Sequence, residues 1–512
     1  MLVKVYAAAL SGVNANLITI EVNCSKGIKF FLVGLPDVSI KESHERITSA
    51  LEFHGMKFPR KQIVINMAPA DVRKEGAAYD LPLAIGILAG AEKIKADKVS
   101  DYLMMGELSL DGILKPVRGV LPIAIKAKAE GFKGMILPED NVREAAIVAD
   151  LEVFGVKNIG QVIGFFNDEL SLERTIVDPR SDFYANQSAF EWDFSEVKGQ
   201  ENVKRALEVA CAGGHNLLFV GAPGAGKSML AKRIPSILPP LSLSESLETT
   251  KIHSVAGKMH GNVSLIAVRP FRSPHHTISS VAMVGGGSFP QPGEISLAHN
   301  GVLFLDEIAE FNKNVLEVLR QPLEDRKITI SRAKSTVEYP AGFMLIASMN
   351  PCPCGHYNNP NKACVCVPQQ VQKYLNRLSG PLLDRIDIQI EIVPVPFEDI
   401  SSTRPAESSA EIRRRVVNAR QIQEKRFADE AGIYCNAQMH TRLLHKYAQP
   451  DVAGLQQLKH AMERLSLSAR AYDRILRVAR TIADLENSEN VEARHIAEAI
   501  SYRNLDRENW AG

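Results

Sequence analysis

The sequence lacks a long apolar run and a large net charge of either sign, and both absences narrow the class of protein. No stretch of the 512 residues approaches the length of a membrane-spanning helix, so we expect no membrane partner. The formal net charge is only +1, so any nucleic-acid binding must use local basic patches. The first residues, Met1 to Tyr6, alternate like a strand, and polar Ser11 and Asn14 follow soon after. This pattern argues against a signal peptide.

Cysteine is scarce and unevenly distributed, which excludes a disulfide-stapled fold. Three of the seven cysteines are scattered, and the other four form a cluster at Cys352, Cys354, Cys364 and Cys366. This usage predicts a cytoplasmic protein with a metal site. The length suggests roughly two to four domains. A hydrophobic share of 45% with 23% charged residues is typical of a globular protein.

One short motif predicts a nucleotide site. The pattern G-x-x-x-x-G-K-[ST] occurs once, at Gly221, Ala222, Pro223, Gly224, Ala225, Gly226, Lys227 and Ser228. An apolar run, 217–220, precedes it as a buried strand, and 229–234 follows with a helical pattern. Backbone N–H groups of such a loop cradle phosphates; Lys227 would neutralise the β- and γ-phosphates and Ser228 would bind Mg²⁺. A glycine-rich turn that matched the motif by chance would not be expected between a buried strand and a helix.

A second apolar run completes the predicted ATP site. Residues 302–305 form a continuous apolar segment that ends in Asp306 and Glu307, as expected of a central parallel strand. Asp306 would hold Mg²⁺, and Glu307 would act as the general base that orients the attacking water. Together with Lys227 and Ser228, these carboxylates predict ATP hydrolysis with Mg²⁺ as cofactor.

The rest of the chain divides by pattern into four segments. Residues 1–170 alternate strands, such as 17–22 and 63–66, with helices at 39–54 and 81–91, which predicts an α/β domain. Residues 171–195 lose periodicity and predict a linker. Residues 196–395 hold the ATP motifs. Residues 396–512 are helical, with a capping box from Ser408 to Glu411 opening a helix through Phe427.

The four clustered cysteines form two Cys-x-Cys pairs nine residues apart. Two such pairs of thiolates can make a closed tetrahedral zinc site, and His356 is a possible substitute ligand. The alternative is four free thiols in a loop, but the polar segment 356–362 needs something to order it. The site would lie directly after Asn350 and connect metal binding to this residue.

Part of the first domain resembles the Lon-protease-type domain. The resemblance is carried by 74–82, Lys-Glu-Gly-Ala-Ala-Tyr-Asp-Leu-Pro, and by Gly-Glu-Leu-Ser-Leu-Asp-Gly at 106–112. The family would have a nucleophilic serine and a partner lysine where this chain has Ala78 and Leu121, while Ser109 and Lys115 fall at the wrong offsets. Alanine has no nucleophile, and leucine can neither activate one nor donate a proton. The resemblance therefore implies a fold without peptidase chemistry and a role in binding or assembly.

The ATP motifs resemble those of AAA+ ATPases. In that class the segment 197–212 lies against the adenine, and Asn350, at the end of the apolar strand 343–350, senses the γ-phosphate. Arg385 in 382–387 resembles the arginine finger that reaches a neighbouring subunit, which implies a ring, most often a hexamer. A salt bridge to Asp384 or Asp387 is the alternative for Arg385. Arg470 resembles the lid arginine that contacts nucleotide within the subunit, with Arg474 as its competitor.

Two insertions resemble the magnesium-chelatase-like branch of AAA+ proteins. The first contains 269–277, 284–287 and 292–301; the second, 328–337, predicts a β-hairpin with Arg332 and Lys334 at its tip. Nearly the whole chain is similar to the YifB/ComM family, which joins this ATPase to a Lon-like domain. The resemblance implies a hexameric DNA helicase that drives branch migration during natural transformation, with Arg332 and Lys334 as candidate contacts to single-stranded or branched DNA.

Two further patterns favour structural roles. Adjacent His275 and His276 invite a metal hypothesis, but neighbours on an extended chain point in opposite directions, so we expect them to order the loop. The run Arg413, Arg414 and Arg415 predicts a solvated helix face.

The combined prediction is an α/β protein with three parts. These are an N-terminal Lon-like (ribosomal S5 domain 2-like) α/β domain, an AAA+ P-loop α/β core and a C-terminal α-helical lid. The expected function is an ATP-driven ring motor on DNA. The alternatives are a magnesium-chelatase-like subunit or a protein-remodelling ATPase, with an ATP-dependent protease disfavoured by Ala78 and Leu121.

Overall fold

A computed structural model of the chain describes residues 1–188, 190–259, 264–287, 290–332, 335–357, 362–395, 406–465 and 467–503. Within these ranges no helix has both the length and the apolar composition needed to cross a bilayer. The tip of the predicted hairpin, including Lys334, lies outside the described residues, and of Arg332 only the backbone is described.

The N-terminal domain is built on a mixed seven-stranded sheet in the order β3-β4-β2-β1-β5-β8-β9. Its strands are β1 (Leu2–Ser11), β2 (Asn14–Ser25), β3 (Phe30–Val33), β4 (Gln62–Ala68), β5 (Tyr102–Met104), β8 (Gly134–Pro138) and β9 (Glu152–Val156), and a separate pair is formed by β6 (Glu107–Leu108) and β7 (Leu114–Lys115). The antiparallel pair β1–β2 buries alternate residues such as Val5 and Ile20, as half-buried strands should. The strands predicted at 17–22 and 63–66 are confirmed within β2 and β4.

Helices cover this sheet. They are α1 (Val38–Lys41), α2 (Ser43–Phe53), α3 (Asp80–Gly90), α4 (Val120–Ala129), α5 (Val142–Ala145) and α6 (Ile159–Phe166). Every residue of α3 is buried, because this helix is apolar on all sides and packs between the sheet and its neighbours. The helix predicted at 39–54 is two helices, since the chain turns at Glu42 between α1 and α2.

The segment predicted as a linker contains a helix, α7 (Pro179–Asn186). Asp178 caps it by accepting hydrogen bonds from the N–H groups of Arg180 and Ser181, and Pro179 occupies the first turn, where proline is tolerated. Phe183 is buried against Leu241 and Leu265 of the ATPase region. The sequence pattern missed this helix because one buried aromatic residue is too little to produce a periodicity.

The ATPase core is a parallel five-stranded sheet in the order β11-β14-β17-β10-β18. These strands are β10 (Leu217–Gly221), β11 (Phe271–Arg272), β14 (Val302–Leu305), β17 (Met344–Met349) and β18 (Ile388–Ile392). The pairs β12 (Gly285–Gly286) with β13 (Gln291–Pro292) and β15 (Lys327–Arg332) with β16 (Ser335–Pro340) are antiparallel, and the second confirms the predicted hairpin. The helices are α8 (Glu201–Gly213), α9 (Lys227–Ile237), α10 (Leu243–Val255), α11 (Ser280–Val284), α12 (Glu294–Leu297), α13 (Lys313–Glu317), α14 (Arg320–Asp325), α15 (Pro368–Leu375) and α16 (Gly380–Leu383).

The C-terminal region is helical, as predicted. Its helices are α17 (Ser409–Arg426), α18 (Thr441–Tyr447), α19 (Val452–Arg464), α20 (Ala469–Leu485) and α21 (Ala493–Ser501). The capping box at Ser408 and Glu411 is present. Buried residues of α17 and α20 belong to the same hydrophobic cluster as α8 and α9 of the ATPase core. The helical region therefore shares a core with the ATPase sheet.

The prediction that Arg413 to Arg415 form a solvated face is wrong for two of the three residues. The Arg413 guanidinium lies 4.9 Å from the centre of the Phe190 ring, and Arg415 pairs with Glu208 of α8 and Glu407. These cations are used to attach α17 to neighbouring segments, which sequence periodicity cannot report.

The N-terminal domain also contacts the ATPase insertions. Helix α4 packs near α10, where the N–H of Gly119 donates to the carbonyl of Ser254 over 3.0 Å. At the β1–β2 turn, Val13 packs against the hydrophobic cluster that contains Ile330, and Val337 of β16 lies close to Gly12. The base of the hairpin β15–β16 is therefore supported by the N-terminal domain.

Candidate functional site

The parallel sheet brings three predicted segments together at one edge. Strands β10, β14 and β17 all run in the same direction, with β17 between the other two. Because the carboxyl ends of parallel strands meet at one edge, the loop after β10, Asp306 after β14 and Asn350 after β17 lie close to each other. This edge is the candidate site.

The loop after β10 has the backbone that a phosphate-binding loop requires. Gly224 and Gly226 have φ values of +76° and +91°, a region in which side chains are strained. Gly221 lies against β18, where a Cβ atom would be 2.5 Å from the Ile392 carbonyl oxygen. Helix α9 begins at Lys227, so its first N–H groups face the loop. The loop and the helix N-terminus together form an anion-binding concavity.

Lys227 is held inside this loop. Its Nζ donates to the carbonyl oxygens of Gly221 and Ala222 over 2.6 and 2.9 Å, and to Asn350 Oδ1 over 3.0 Å. Burial lowers the pKa of the Lys227 ammonium group, and the nearby carboxylates of Asp306 and Glu307 oppose that shift. The lysine therefore connects the phosphate loop directly to Asn350.

The Asp306 carboxylate is fixed by two hydroxyl groups. Ser228 Oγ donates to Asp306 Oδ2 over 2.6 Å, and Ser348 Oγ donates to Asp306 Oδ1 over 2.5 Å. A hydroxyl and a carboxylate oxygen at this separation are the hard ligands that Mg²⁺ prefers, so the donor set fits this ion. The Ser348 Oγ also accepts a hydrogen bond from the Glu307 N–H over 3.1 Å.

Sequence analysis missed Ser348. It is the hydroxyl-bearing residue in the apolar strand β17 and is fully buried. A buried polar side chain in a central strand needs a hydrogen-bond partner. A serine within this apolar run therefore indicates a hydrogen bond to a nearby polar residue. Ser348 contacts both carboxylate residues of the site.

Glu307 has an unusual backbone. Its φ of +53° lies in the left-handed region, and its side chain is exposed next to the phosphate loop edge. A non-glycine residue in this region costs of order 1–3 kcal/mol, and such residues cluster at active sites. The conformation turns the Glu307 side chain out of the strand direction, away from the contact that Asp306 makes.

The predicted arginines do not lie at this edge. Asp387 and Ile388 donate their N–H groups to the carbonyl of Asn216, which precedes β10 and therefore marks the opposite edge of the sheet. Arg474 donates to the Ile386 carbonyl over 3.1 Å, and Arg470 pairs with Asp384 over 3.4 Å. The five residues of β10 separate the two edges by roughly 16 Å. In this structure Arg470 lies beside Asp384, at the edge opposite the phosphate loop of its own chain, and its expected nucleotide contact stays a prediction.

Arg385 has a partner that the sequence did not suggest. Its guanidinium pairs with Glu324 of α14 and donates to the Pro381 carbonyl over 2.5 Å. Asp384 instead pairs with Arg470, and Asp387 accepts from the Asn216 N–H over 3.1 Å. The predicted salt bridge of Arg385 to Asp384 or Asp387 is therefore wrong. Arg385 and Arg470 lie near the same short segment, at the sheet edge away from the phosphate loop.

The four clustered cysteines come together as predicted and could hold a metal ion. Their sulfurs all lie within 4.8 Å of one another, and the Cys352–Cys354, Cys352–Cys364 and Cys354–Cys364 distances are 3.4, 3.6 and 3.5 Å. Zn–S bonds of about 2.3 Å in a tetrahedron put sulfurs about 3.8 Å apart, so the arrangement fits. His356, the possible substitute, does not belong to this group.

The histidine argument from sequence was wrong in its geometry. The rings of His275 and His276 lie 4.1 Å apart, because this segment is a turn and not an extended strand. His275 Nδ1 is 2.9 Å from Thr277 Oγ1, a contact within the loop. Among the described residues the metal-ligand groupings do not include either histidine, and the loop-ordering role stays a prediction.

A large cavity of about 1230 Å³ lies between the N-terminal domain, in the region that resembles the Lon-protease-type domain, and the hairpin base. Ala78 lines it, together with Arg73, Glu107 and Arg118 from the domain and Tyr339 from β16. Leu121 is fully buried in α4, and Ser109 donates its hydroxyl hydrogen bonds locally, to Asp111 and the Ile113 carbonyl. A hydrocarbon side chain therefore stands at each position where the resemblance would put a catalytic group.

The fold and the site define a P-loop ATPase of the AAA+ class. Family models described as magnesium chelatase, subunit ChlI, match residues 20–141 and 193–400, and a model of the C-terminal part of that subunit matches 406–503. The chain is 43% identical over 507 residues to competence protein ComM of Haemophilus influenzae, covering 98% of this chain and 97% of that protein. It is 44% identical over 507 residues to the protein YifB of Escherichia coli, with the same coverage.

A more distant similarity extends to a replication protein. The chain is 24% identical over 345 residues to the DNA replication licensing factor mcm7 of Schizosaccharomyces pombe, covering 61% of this chain and 40% of that protein. The near full-length matches decide the family. The chain belongs to the YifB/ComM family of magnesium-chelatase-like AAA+ ATPases.

Proposed function

We propose that this protein hydrolyses ATP as a ring-forming motor that moves DNA, of the branch-migration helicase kind. The observation that carries the proposal is the separation of the two halves of the ATP site. The phosphate loop and the carboxylates lie at one edge of the sheet, and Arg385 and Arg470 lie at the other. An arginine can complete such a site only from a neighbouring copy.

The hydrolytic roles follow from the contacts at the phosphate loop edge. Lys227 and the backbone N–H groups of the phosphate loop bind the triphosphate. Ser228 and Asp306 are the residues that would hold Mg²⁺, and a bound ion would supply charge neutralisation at the phosphoryl group. Glu307 takes the proton from the attacking water. Asn350, already bonded to Lys227, orients that water and the γ-phosphate.

The arginines act on the ATP of the next subunit. Arg385 stabilises the charge that develops in the transition state, and it must exchange Glu324 for phosphate oxygens to do so. Arg470 is largely exposed and shares the same face, so we assign it a contact in trans as well. Head-to-tail contacts of this kind close into a ring, and we propose a homo-hexamer.

DNA is proposed as the polymer on which the ring acts. The similarity to competence protein ComM and to a DNA replication licensing factor supports this choice. In the sequence, Arg332 ends β15 and Lys334 lies between β15 and β16, and two such cations can hold backbone phosphates. At the base of this hairpin, Lys327 is already paired with Glu338 over 3.0 Å, so the tip residues are the better candidates.

We further propose that Cys352, Cys354, Cys364 and Cys366 bind zinc. Four thiolates at these distances form a closed structural site without an open position for substrate. Elemental analysis of the purified protein should find about one zinc per chain. A value well under one would reject this assignment and leave the ATPase proposal unaffected.

The main experiment compares the ATPase rate with single-stranded DNA, forked DNA and unfolded casein. We expect both DNAs to stimulate hydrolysis and casein to have no effect. The strands of forked DNA should separate only when ATP is present. If casein stimulates and DNA does not, the protein-remodelling alternative replaces the helicase. Release of peptides from casein with ATP would instead reveal a protease and overturn the interpretation of Ala78 and Leu121.

A further inference from the structure

The cysteine cluster lies next to two parts of the ATP site, Asn350 and the phosphate loop. Cys352 follows Asn350 with one residue between them, and Asn350 accepts a hydrogen bond from Lys227 over 3.0 Å. Cys352 is fully buried and packs with Val371 of α15, and its Sγ accepts a hydrogen bond from the Tyr357 N–H over 3.3 Å. The position of Asn350 is therefore set by the loop that holds the thiols.

The same loop contacts the phosphate loop itself. The Gly355 N–H donates to the Cys352 carbonyl over 2.9 Å and closes a turn that contains Cys354. In this turn Gly355 has a φ of +81°, and a Cβ atom on it would lie 2.4 Å from Cδ and 2.7 Å from Cγ of Pro223. The turn between Cys352 and Gly355 thus packs against Pro223 of the phosphate loop with no room for a methyl group.

We infer that a metal ion in this cluster positions the ATP site: by fixing the 352–355 turn it holds Pro223 of the phosphate loop and Asn350 in their nucleotide-binding arrangement. This inference rests on the proposed ATPase function and on the proposed metal site. The cluster is then a positioning device, since none of its sulfurs reaches the nucleotide. Without the ion, the four cysteines take up protons and lose the bonds to the metal that hold their sulfurs together, so the turn separates from Pro223.

The decisive measurement is the affinity for a fluorescent ADP analogue before and after metal removal from the full chain. Metal is removed with a mercurial thiol reagent and chelator, reversed with dithiothreitol, and counted by elemental analysis. We expect the stripped protein to bind the analogue at least about tenfold more weakly, and readdition of zinc to restore the affinity. Unchanged affinity in the stripped protein would overturn the inference, whatever its metal content had been.

A variant tests the mechanical contact without touching a thiol. Gly355→Ala keeps all four cysteines but puts a methyl group onto Pro223, so we expect full metal content with a similar, about tenfold loss of affinity. The matched control is Gly432→Ala, because Gly432 has a nearly identical φ of +77° and nothing within 4 Å of its Cβ position.

The two variants separate failure of the coupling from failure of the underlying proposals. If Gly355→Ala retains its metal and binds nucleotide as Gly432→Ala does, the coupling is wrong and the metal site stands. If Gly355→Ala also loses its metal, the nucleotide affinity of the metal-stripped wild-type protein decides whether the coupling exists. Wild-type protein that contains no metal yet hydrolyses ATP rejects the metal site and this inference, while the ATPase proposal remains.

Discussion

Ser348 and Glu307 show how much of the ATP site depends on single residues. The Ser348 hydroxyl donates to Asp306 and accepts from the Glu307 N–H, so one buried side chain sets both carboxylate residues. Glu307 keeps its left-handed backbone because this hydrogen bond and the following 3₁₀ turn, Ile308–Glu310, hold it. This backbone conformation costs about 1–3 kcal/mol and leaves the Glu307 side chain exposed, where it can reach a water molecule.

Substitution of Glu307 tests its role as the general base. Glu307→Gln keeps the size and the backbone contact but cannot accept a proton, so we expect ATP turnover to fall about 100-fold or more with nucleotide binding retained. The measurements are phosphate release and nucleotide affinity. The control is Glu310→Gln, a carboxylate on the same turn that pairs with Arg377 over 2.7 Å. Unimpaired turnover of Glu307→Gln would remove Glu307 from the mechanism.

Asp387 provides a pH-dependent test at the opposite edge. Burial would raise its pKa, but the hydrogen bond and charge of His215, with Arg474 and Arg477 nearby, hold the pKa at about 2. Since the pKa is depressed from 3.8, Asp387 stabilises the fold above that pH, and the contribution is lost as the pH falls toward 2. It amounts to about 2 kcal/mol at neutral pH.

We therefore expect Asp387→Asn to lower the urea midpoint at pH 7, followed by intrinsic fluorescence. The difference from wild type should shrink as the pH falls from about 4 toward 2, because Asp387 binds a proton first in the unfolded chain and then in the folded chain, and protonated aspartic acid carries the same charge as asparagine. Asp325→Asn, which removes an exposed carboxylate, is the control and should change little at either pH. A difference that stays constant down to pH 3 would contradict the assigned role.

At the scale of elements, the sequence predicted best what depends on local pattern. Strands β10, β14 and β17 and helices α8, α17 and α20 were found because their apolar spacing and caps are properties of neighbouring residues. The phosphate loop motif added the chemistry of Lys227 and Ser228. These parts define the sheet edge and most of the candidate site.

The remainder depends on contacts between distant residues, which a single sequence does not contain. Helix α7, the Arg385–Glu324 pair and the contact of Gly355 with Pro223 each join segments separated along the chain. The location of Arg470 beside Asp384 follows from how α20 packs, which its own sequence does not contain.

The hairpin β15–β16 is the element on which the choice of DNA can be tested. Arg332→Ala combined with Lys334→Ala should reduce DNA stimulation of the ATPase and leave the basal rate unchanged, since neither residue belongs to the phosphate loop or to the segments that carry Asp306, Glu307 and Asn350. Loss of two phosphate contacts should lower the slope of log affinity against log salt by about 2. Arg414→Ala with Lys459→Ala removes equal charge from exposed positions of the helical domain and should have no effect. Equal effects of the two double variants would reject the hairpin as a DNA contact.

For the whole molecule, the separation of roughly 16 Å between the two sheet edges is the reason for our proposal that assembly takes part in catalysis. A single chain holds a phosphate loop and arginines that cannot meet within it in the described arrangement. In a head-to-tail ring each phosphate loop faces the opposite edge of the next chain. Two inactive variants with defects at opposite edges should therefore rescue each other.

Mixing Lys227→Ala with Arg385→Ala tests this arrangement. Each variant alone should be inactive, because the first lacks a working phosphate loop and the second lacks the arginine for its neighbour. In random mixed rings at equal amounts, about a quarter of the interfaces join an intact loop to an intact arginine, so measurable ATPase activity should return. A mixture as inactive as its components would exclude a site shared between subunits.

The same design distinguishes the two possible roles of Arg470. If Arg470 acts on the neighbouring subunit, Arg470→Ala mixed with Lys227→Ala regains activity, because the intact arginine of the second variant serves the intact loop of the first. If Arg470 acts within its own chain, no subunit in the mixture has both groups, and activity stays absent. Its contact with Asp384, at the edge where Arg385 also lies, leads us to expect rescue.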